Sequence, residues 1–209
     1  MSSKVSFLKG FSGKKLGNAK DTFILGFMII IGIVITIIGF LSLNIYNSCP
    51  IGDRIKTQIN YEISSFAIGL GVGILGFLFL NAIFKISPKV PLMLLAILLI
   101  AIASVNINYI NKKFIPQLIT FNTALIGAGV GLLLEFGSEF LDFVPYLELL
   151  QILSIILSIA IIVFTSTGIN TYNKCNKPAS TATDYYWLIG LLVFGILAIM
   201  LLIGSFFIG

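Results

Sequence analysis

Few side chains in this protein could carry out chemistry, and their types and spacing say which chemistry that would be. Two cysteines occur, Cys49 and Cys175, and histidine is absent. Two thiols without an imidazole make a poor metal-ligand set, so no metal site is expected. The chemistry left to the pair is a disulfide, provided the fold brings the sulfurs together; sequence alone leaves open whether it does. Glu135, Glu139 and Asp142 are the other candidates. Their spacing of four and three places them on one helix face. In a transporter such a stripe would bind a cation or a proton, whereas beside Gly137 and Pro145, at the end of an apolar run, it would be solvated at a membrane surface. Asn81 and Asn122 lie within apolar runs and are expected to bond between helices. Enzymatic signatures are missing: no histidine base, no glycine-rich phosphate loop with a following lysine, no nucleophile elbow. Neither catalytic residues nor a cofactor are expected.

The elements that must position these groups follow from composition. Apolar residues make up 58% of the 209 and charged residues 10%, against about 45–50% and about 25% in soluble domains. The apolar residues fall into six runs of about 20, each matched to a hydrocarbon core roughly 30 Å thick. Barrel strands would alternate polar and apolar over about 10 residues, which these unbroken runs do not, so helices are the spanning element. The expected fold is an all-α polytopic transmembrane bundle of six spans in three tandem helical hairpins, at about 22–84, 90–136 and 144–207, behind a basic tail at 1–21. The first run is too long for a secretory signal and lacks a small-residue cleavage site, so it reads as a retained anchor.

The hairpins carry two recurring markers. Asn44-Ile45-Tyr46-Asn47-Ser48-Cys49, Asn108-Tyr109-Ile110-Asn111-Lys112-Lys113 and Asn170-Thr171-Tyr172-Asn173-Lys174-Cys175 end the odd-numbered runs and begin 64 and 62 residues apart. Ile68-Gly69, Ile126-Gly127 and Ile189-Gly190 mark the even-numbered runs. The near-constant period predicts an internal repeat. Asparagine at 44, 47, 108, 111, 170 and 173 suits a helix end, where its amide can answer free carbonyls and its backbone tolerates left-handed geometry. Gly69 with Gly73, and Gly127 with Gly131, are four apart and predict faces where a neighbouring backbone comes close. Cys49 and Cys175 hold the same place in the first and third signatures, so a bridge between those hairpins is topologically allowed.

Net charge is +5, concentrated before the first run in Lys4, Lys9, Lys14, Lys15 and Lys20. Such a cluster stays cytoplasmic by the positive-inside rule and draws anionic headgroups by about 1 kcal/mol per charge. Lipid is therefore the expected partner and nucleic acid is not, since stacking aromatics are not interleaved with the lysines. An even number of spans puts both termini on the cytoplasmic side.

The Asn44–Cys49 and Asn170–Cys175 signatures, in a chain biased to Asn, Ile, Lys and Phe, resemble those of small multispanning membrane proteins of large DNA viruses; Lys113 stands in place of the cysteine in the middle copy. The resemblance implies a non-enzymatic structural component of a virion internal membrane, contacting capsid or other membrane proteins through its loops and tail. A small transporter or channel, and an accessory subunit of a membrane complex, are the alternatives.

Overall fold

The computed structural model describes the backbone of residues 19–54, 57–84, 89–110, 116–140, 146–176 and 178–208, and the side chains of these except 19–25, 51–52, 80–84, 89–92, 109–110, 116–117, 135–140, 146–150 and 205–208. Among the described residues the structure is all-α. Its elements are α1 (Ala19–Asn47), the short α2 (Ile51–Arg54), α3 (Gln58–Phe84), α4 (Lys89–Ile110), α5 (Pro116–Phe140), α6 (Tyr146–Lys174) and α7 (Ala182–Ile208), with a 3-10 turn at Ala179–Thr181 before α7. Four of them, α1, α3, α6 and α7, contain stretches long and apolar enough to cross a membrane, at Gly26–Asn47, Gln58–Phe79, Gln151–Lys174 and Ala179–Gly204; Met93–Asn108 and Leu118–Leu134 are shorter apolar stretches.

The helices persist through polar residues because those residues turn inward on their own backbone. Thr36 donates to the Gly32 carbonyl at 2.6 Å, Ser64 to Asn60 at 2.8 Å, Thr165 to Ile161 at 2.6 Å and Thr171 to Thr167 at 2.9 Å. A hydroxyl bonded four residues back needs no partner from another helix or from water. Proline sets two of the starts: Pro91 lies in the first turn of α4 and Pro116 opens α5, where the missing N–H would be unsatisfied in any case.

Two helices run on through residues that often end one. α5 continues to Phe140 past Gly137, and α6 continues to Lys174, so that the third Asn signature lies in its last two turns. Internal glycine costs a helix about 1 kcal/mol without ending it. Polar residues likewise need not end a helix, because its backbone bonds are internal whether lipid or water surrounds it. The stop for α6 is instead Asn176, at φ 54°, followed by Pro178.

Packing runs through antiparallel pairs. α1 lies against α3, α4 against α5 and α6 against α7. Two parallel contacts join the pairs: α3 with α5, and α1 with α6. The main apolar core gathers Ile31, Ile35 and Ile38 of α1, Leu70 and Ile74 of α3, Ile161 and Phe164 of α6, and Leu188 of α7. α4 packs mainly against α5, and α7 mainly against α6 with a smaller contact on α1.

Candidate functional site

Cys49 and Cys175 are joined as a disulfide, with Cα atoms 5.2 Å apart and both residues almost wholly buried. The bridge closes one end of the α1·α6 contact. Seven residues back on each helix, Gly168 faces Ser42: a Cβ on Gly168 would collide with the Ser42 hydroxyl and would lie 2.5 Å from Leu188 Cδ1. Ser42 and Gly168 stand the same 126 residues apart as the two cysteines. Corresponding residues of two parallel helices therefore touch each other, which is the signature of a two-fold related contact.

The α3·α5 contact has the same property. A Cβ on Gly69 would fall on the backbone of Ala124, and one on Gly73 on that of Ala128, 2.8 Å from its Cα. Reciprocally, Gly127 meets the Phe66 carbonyl and the Leu70 nitrogen, and Gly131 meets the Leu70 carbonyl and the Ile74 nitrogen. When the two helices are exchanged in register, Gly69 on Ala124 is matched by Gly127 on Phe66, and Gly73 on Ala128 by Gly131 on Leu70. Backbones this close exclude any side chain larger than hydrogen.

Between these glycines stand Gly71 and Gly129, two residues on and so about 200° round the helix. Gly71 faces α1, where an added Cβ would lie 2.6 Å from the Gly32 carbonyl oxygen and 2.9 Å from the Thr36 nitrogen. Gly129 faces α4, 2.8 Å from the Ala96 carbonyl oxygen and 2.6 Å from Ile100 Cγ1. Gly195 faces α6 at 3.1 Å from Ile161 and 3.2 Å from Ile162, whereas Gly190 has nothing within 4 Å. Thr36, Ile100 and Ile162 are separated by the same intervals as Asn44, Asn108 and Asn170. The glycine of the third pair that matches Gly71 and Gly129 is thus Gly195, and the Ile189-Gly190 marker is out of register with the other two.

The Asn signatures do other work than closing helix ends. Asn44 Nδ2 donates to Asp184 Oδ2 at 2.6 Å, tying α1 to the start of α7. Asn47 contributes its carbonyl, which accepts from Arg54 Nη2 at 2.5 Å, while Arg54 Nε donates to the Cys49 carbonyl at 2.9 Å. The Arg54 guanidinium therefore caps the C-terminus of α1, folding back from α2 over the Tyr46 ring at 6.0 Å. Asn108, Asn170 and Asn173 are helical and exposed. Asn111, Lys4, Lys9, Lys14 and Lys15 lie outside the described residues, as does the side chain of Lys20 in the first turn of α1; the same holds for the side chains of Asn81, Glu135 and Glu139, and for Asp142. Asn122 accepts from Asn106 Nδ2 at 3.3 Å and donates to the Leu118 carbonyl at 2.7 Å, so α4 and α5 share an amide pair.

Two aromatic stacks beside the bridge were not foreseen. Tyr46 stacks on Tyr61 at 4.1 Å between ring centroids, and Tyr172 on Tyr185 at 4.2 Å. Each joins the end of one helix to the start of its antiparallel neighbour. Their sequence signal is faint: a tyrosine in the Asn signature followed by another 15 or 13 residues later.

These features define a helical protein with four candidate membrane spans, whose most constrained residues serve close packing and covalent closure. No group of three or more His, Cys, Asp or Glu side chains that could hold a metal occurs among the described residues. Compared with known proteins, the chain matches no family model, no curated protein and no solved structure.

Proposed function

We propose that this is a non-enzymatic integral membrane protein of six spans, built as three tandem hairpins, whose role is structural: a rigid element of a membrane assembly. The observation that carries the reading is the reciprocal backbone contact of α3 with α5, reinforced by the bridge between α1 and α6. Together they fix three helix pairs to one another. The matching positions of Gly71, Gly129 and Gly195 against Thr36, Ile100 and Ile162 support the repeat. α4 and α5, at 22 and 25 residues, are about 33 and 38 Å long at 1.5 Å per residue, enough to cross a core of about 30 Å.

The basic tail faces the cytoplasm in this reading and binds anionic headgroups, with both termini on that side. The resemblance to virion membrane proteins makes an internal virion membrane the proposed location, with capsid or other membrane proteins as partners. An oxidised Cys49–Cys175 pair suits a site on the non-cytoplasmic side. A transporter or channel is the competing reading, resting on the acidic stripe.

Reconstitution into liposomes separates the two. The structural reading expects no solute or ion flux above that of empty vesicles. Flux that Glu135→Gln abolishes would defeat it, and purification of the protein with an organellar complex instead of with virions would move it to the accessory-subunit class.

A further inference from the structure

Of the three first helices of the pairs, α1 and α6 use one another, and α4 is left with the equivalent face uncovered. On α1 the stripe that turns toward α6 is Ile31, Ile35, Ile38 and Ser42, all buried. At the same intervals as the Asn signatures, the corresponding stripe on α4 is Leu95, Leu99, Ile102 and Asn106. Ile31 and Ile38 are 8% and 0% exposed; Leu95 and Ile102 are 42% and 48% exposed. The residue that matches Ser42 and Gly168, the closest approach of α1 and α6, is Asn106.

We infer that α4 pairs with α4 of a second copy of this chain, about a two-fold axis passing beside Asn106, and so continues the α1·α6 mode of contact between molecules. The inference rests on the tandem-hairpin register. Three observations favour a second copy over lipid alone. Both parallel contacts between helix pairs inside the chain are already two-fold in kind, and a two-fold contact is self-complementary, so a helix of this type can pair with its own copy. The α4 stripe is apolar apart from one amide. That amide is exposed, and its 3.3 Å bond to Asn122 engages one of its donors; an Asn106 from the partner copy supplies a reciprocal donor and acceptor. An amide shared across two helices is a recurrent contact in membranes, whereas acyl chains offer it nothing.

The test uses the full chain in proteoliposomes with its native bridge intact. Asn106→Cys is compared with Ile97→Cys, an exposed position half a turn round α4. Under oxidation by copper phenanthroline and dissolved oxygen, Asn106→Cys is expected to run at twice the monomer mass on a nonreducing gel and Ile97→Cys at the monomer mass. In parallel, Asn106→Leu is expected to weaken self-association, read by fluorescence transfer on lipid dilution, by about threefold to tenfold. Equal cross-linking of both cysteines, or none at Asn106 in a chain whose Cys49–Cys175 bridge is intact, overturns the α4 pairing and leaves the register standing. Absence of that bridge from the unsubstituted chain overturns the register itself.

Discussion

Gly69→Ala adds one methyl group, and the structure says where it must go. The new Cβ would overlap the Ala124 carbonyl oxygen and stand 2.6 Å from its carbon and 2.8 Å from its Cα. Carbon atoms prefer about 3.5–4.0 Å, and the obstacle is backbone within a helix, which has no rotamer to change. α3 and α5 must therefore part by about 1 Å along their crossing. A gap of that size forfeits a quarter to a half of each contact's attraction along the face that Gly73, Gly127 and Gly131 also line. Overpacking of this kind costs about 1–3 kcal/mol; the backbone obstacle places Gly69→Ala in the upper part of that range, about 2–3 kcal/mol. In a chain of this size that lowers the melting temperature by about 4–12 °C. Gly190→Ala is the control, since nothing lies within 4 Å of its Cβ; it should be neutral or slightly stabilising through helix propensity. The double variant Gly69→Ala with Gly127→Ala tests the mechanism further. One separation of the helices makes room for both methyls, so the two losses should fall short of additive by at least about 0.5 kcal/mol. Thermal unfolding in detergent micelles measures the unsubstituted chain, Gly69→Ala, Gly127→Ala, Gly190→Ala and the double variant. Gly69→Ala melting with Gly190→Ala, or a double variant equal to the sum of its parts, would refute the reasoning.

Cys49→Ser should abolish the fast-running species on nonreducing gels. Its cost should stay well under the about 5 kcal/mol that chain entropy assigns to a loop of this length, because in the proposed membrane setting spans held in lipid are already confined when unfolded. Arg54→Ala removes both guanidinium bonds to the end of α1, and hydrogen exchange at Ser48 and Cys49 should quicken. Arg54→Lys should recover only part of that protection, since an ammonium lacks the planar fork that reaches two carbonyls. A double-mutant cycle on Tyr172 and Tyr185, each changed to Leu, should give a coupling of about 0.5–1.5 kcal/mol; a cycle that closes at zero would remove the stack from the account of α6·α7 packing.

How much of this was legible in the sequence depended on whether a residue acts along its own helix or across to another. Run length and the absence of alternation located the apolar helices, because backbone bonding in a helix is local. Cys49 and Cys175 could be matched because their signatures share a register. Gly190 misled for the converse reason. It follows an isoleucine, as Gly69 and Gly127 do, yet the identity of a preceding residue says nothing about which face a glycine presents; only the contact with Ile161 and Ile162 singles out Gly195. Arg54 escaped notice because a guanidinium reaching back to Asn47 and Cys49 has no fixed sequence spacing, and Tyr61 and Tyr185 because their partners lie across a loop of variable length.

In α3 and α5 glycine recurs as Gly69, Gly71, Gly73 and as Gly127, Gly129, Gly131. Four-residue spacing marks one face, but the middle glycine of each triplet is rotated about 200° from its neighbours and so marks the opposite face. A helix with close backbone neighbours on both sides needs both sets, and these two helices have such neighbours: α3 between α1 and α5, α5 between α3 and α4. α7 has Gly190, Gly195 and Gly204, spaced without that alternation, and it presents Trp187, Phe194, Leu197 and Leu201 outward. In α3 and α5 a place between two close neighbours is thus marked by glycine at two-residue spacing, and a third triplet placed on α7 by Ala→Gly or Leu→Gly changes would not recruit a neighbour, because the bulky outward side chains between them would still hold any helix at a distance.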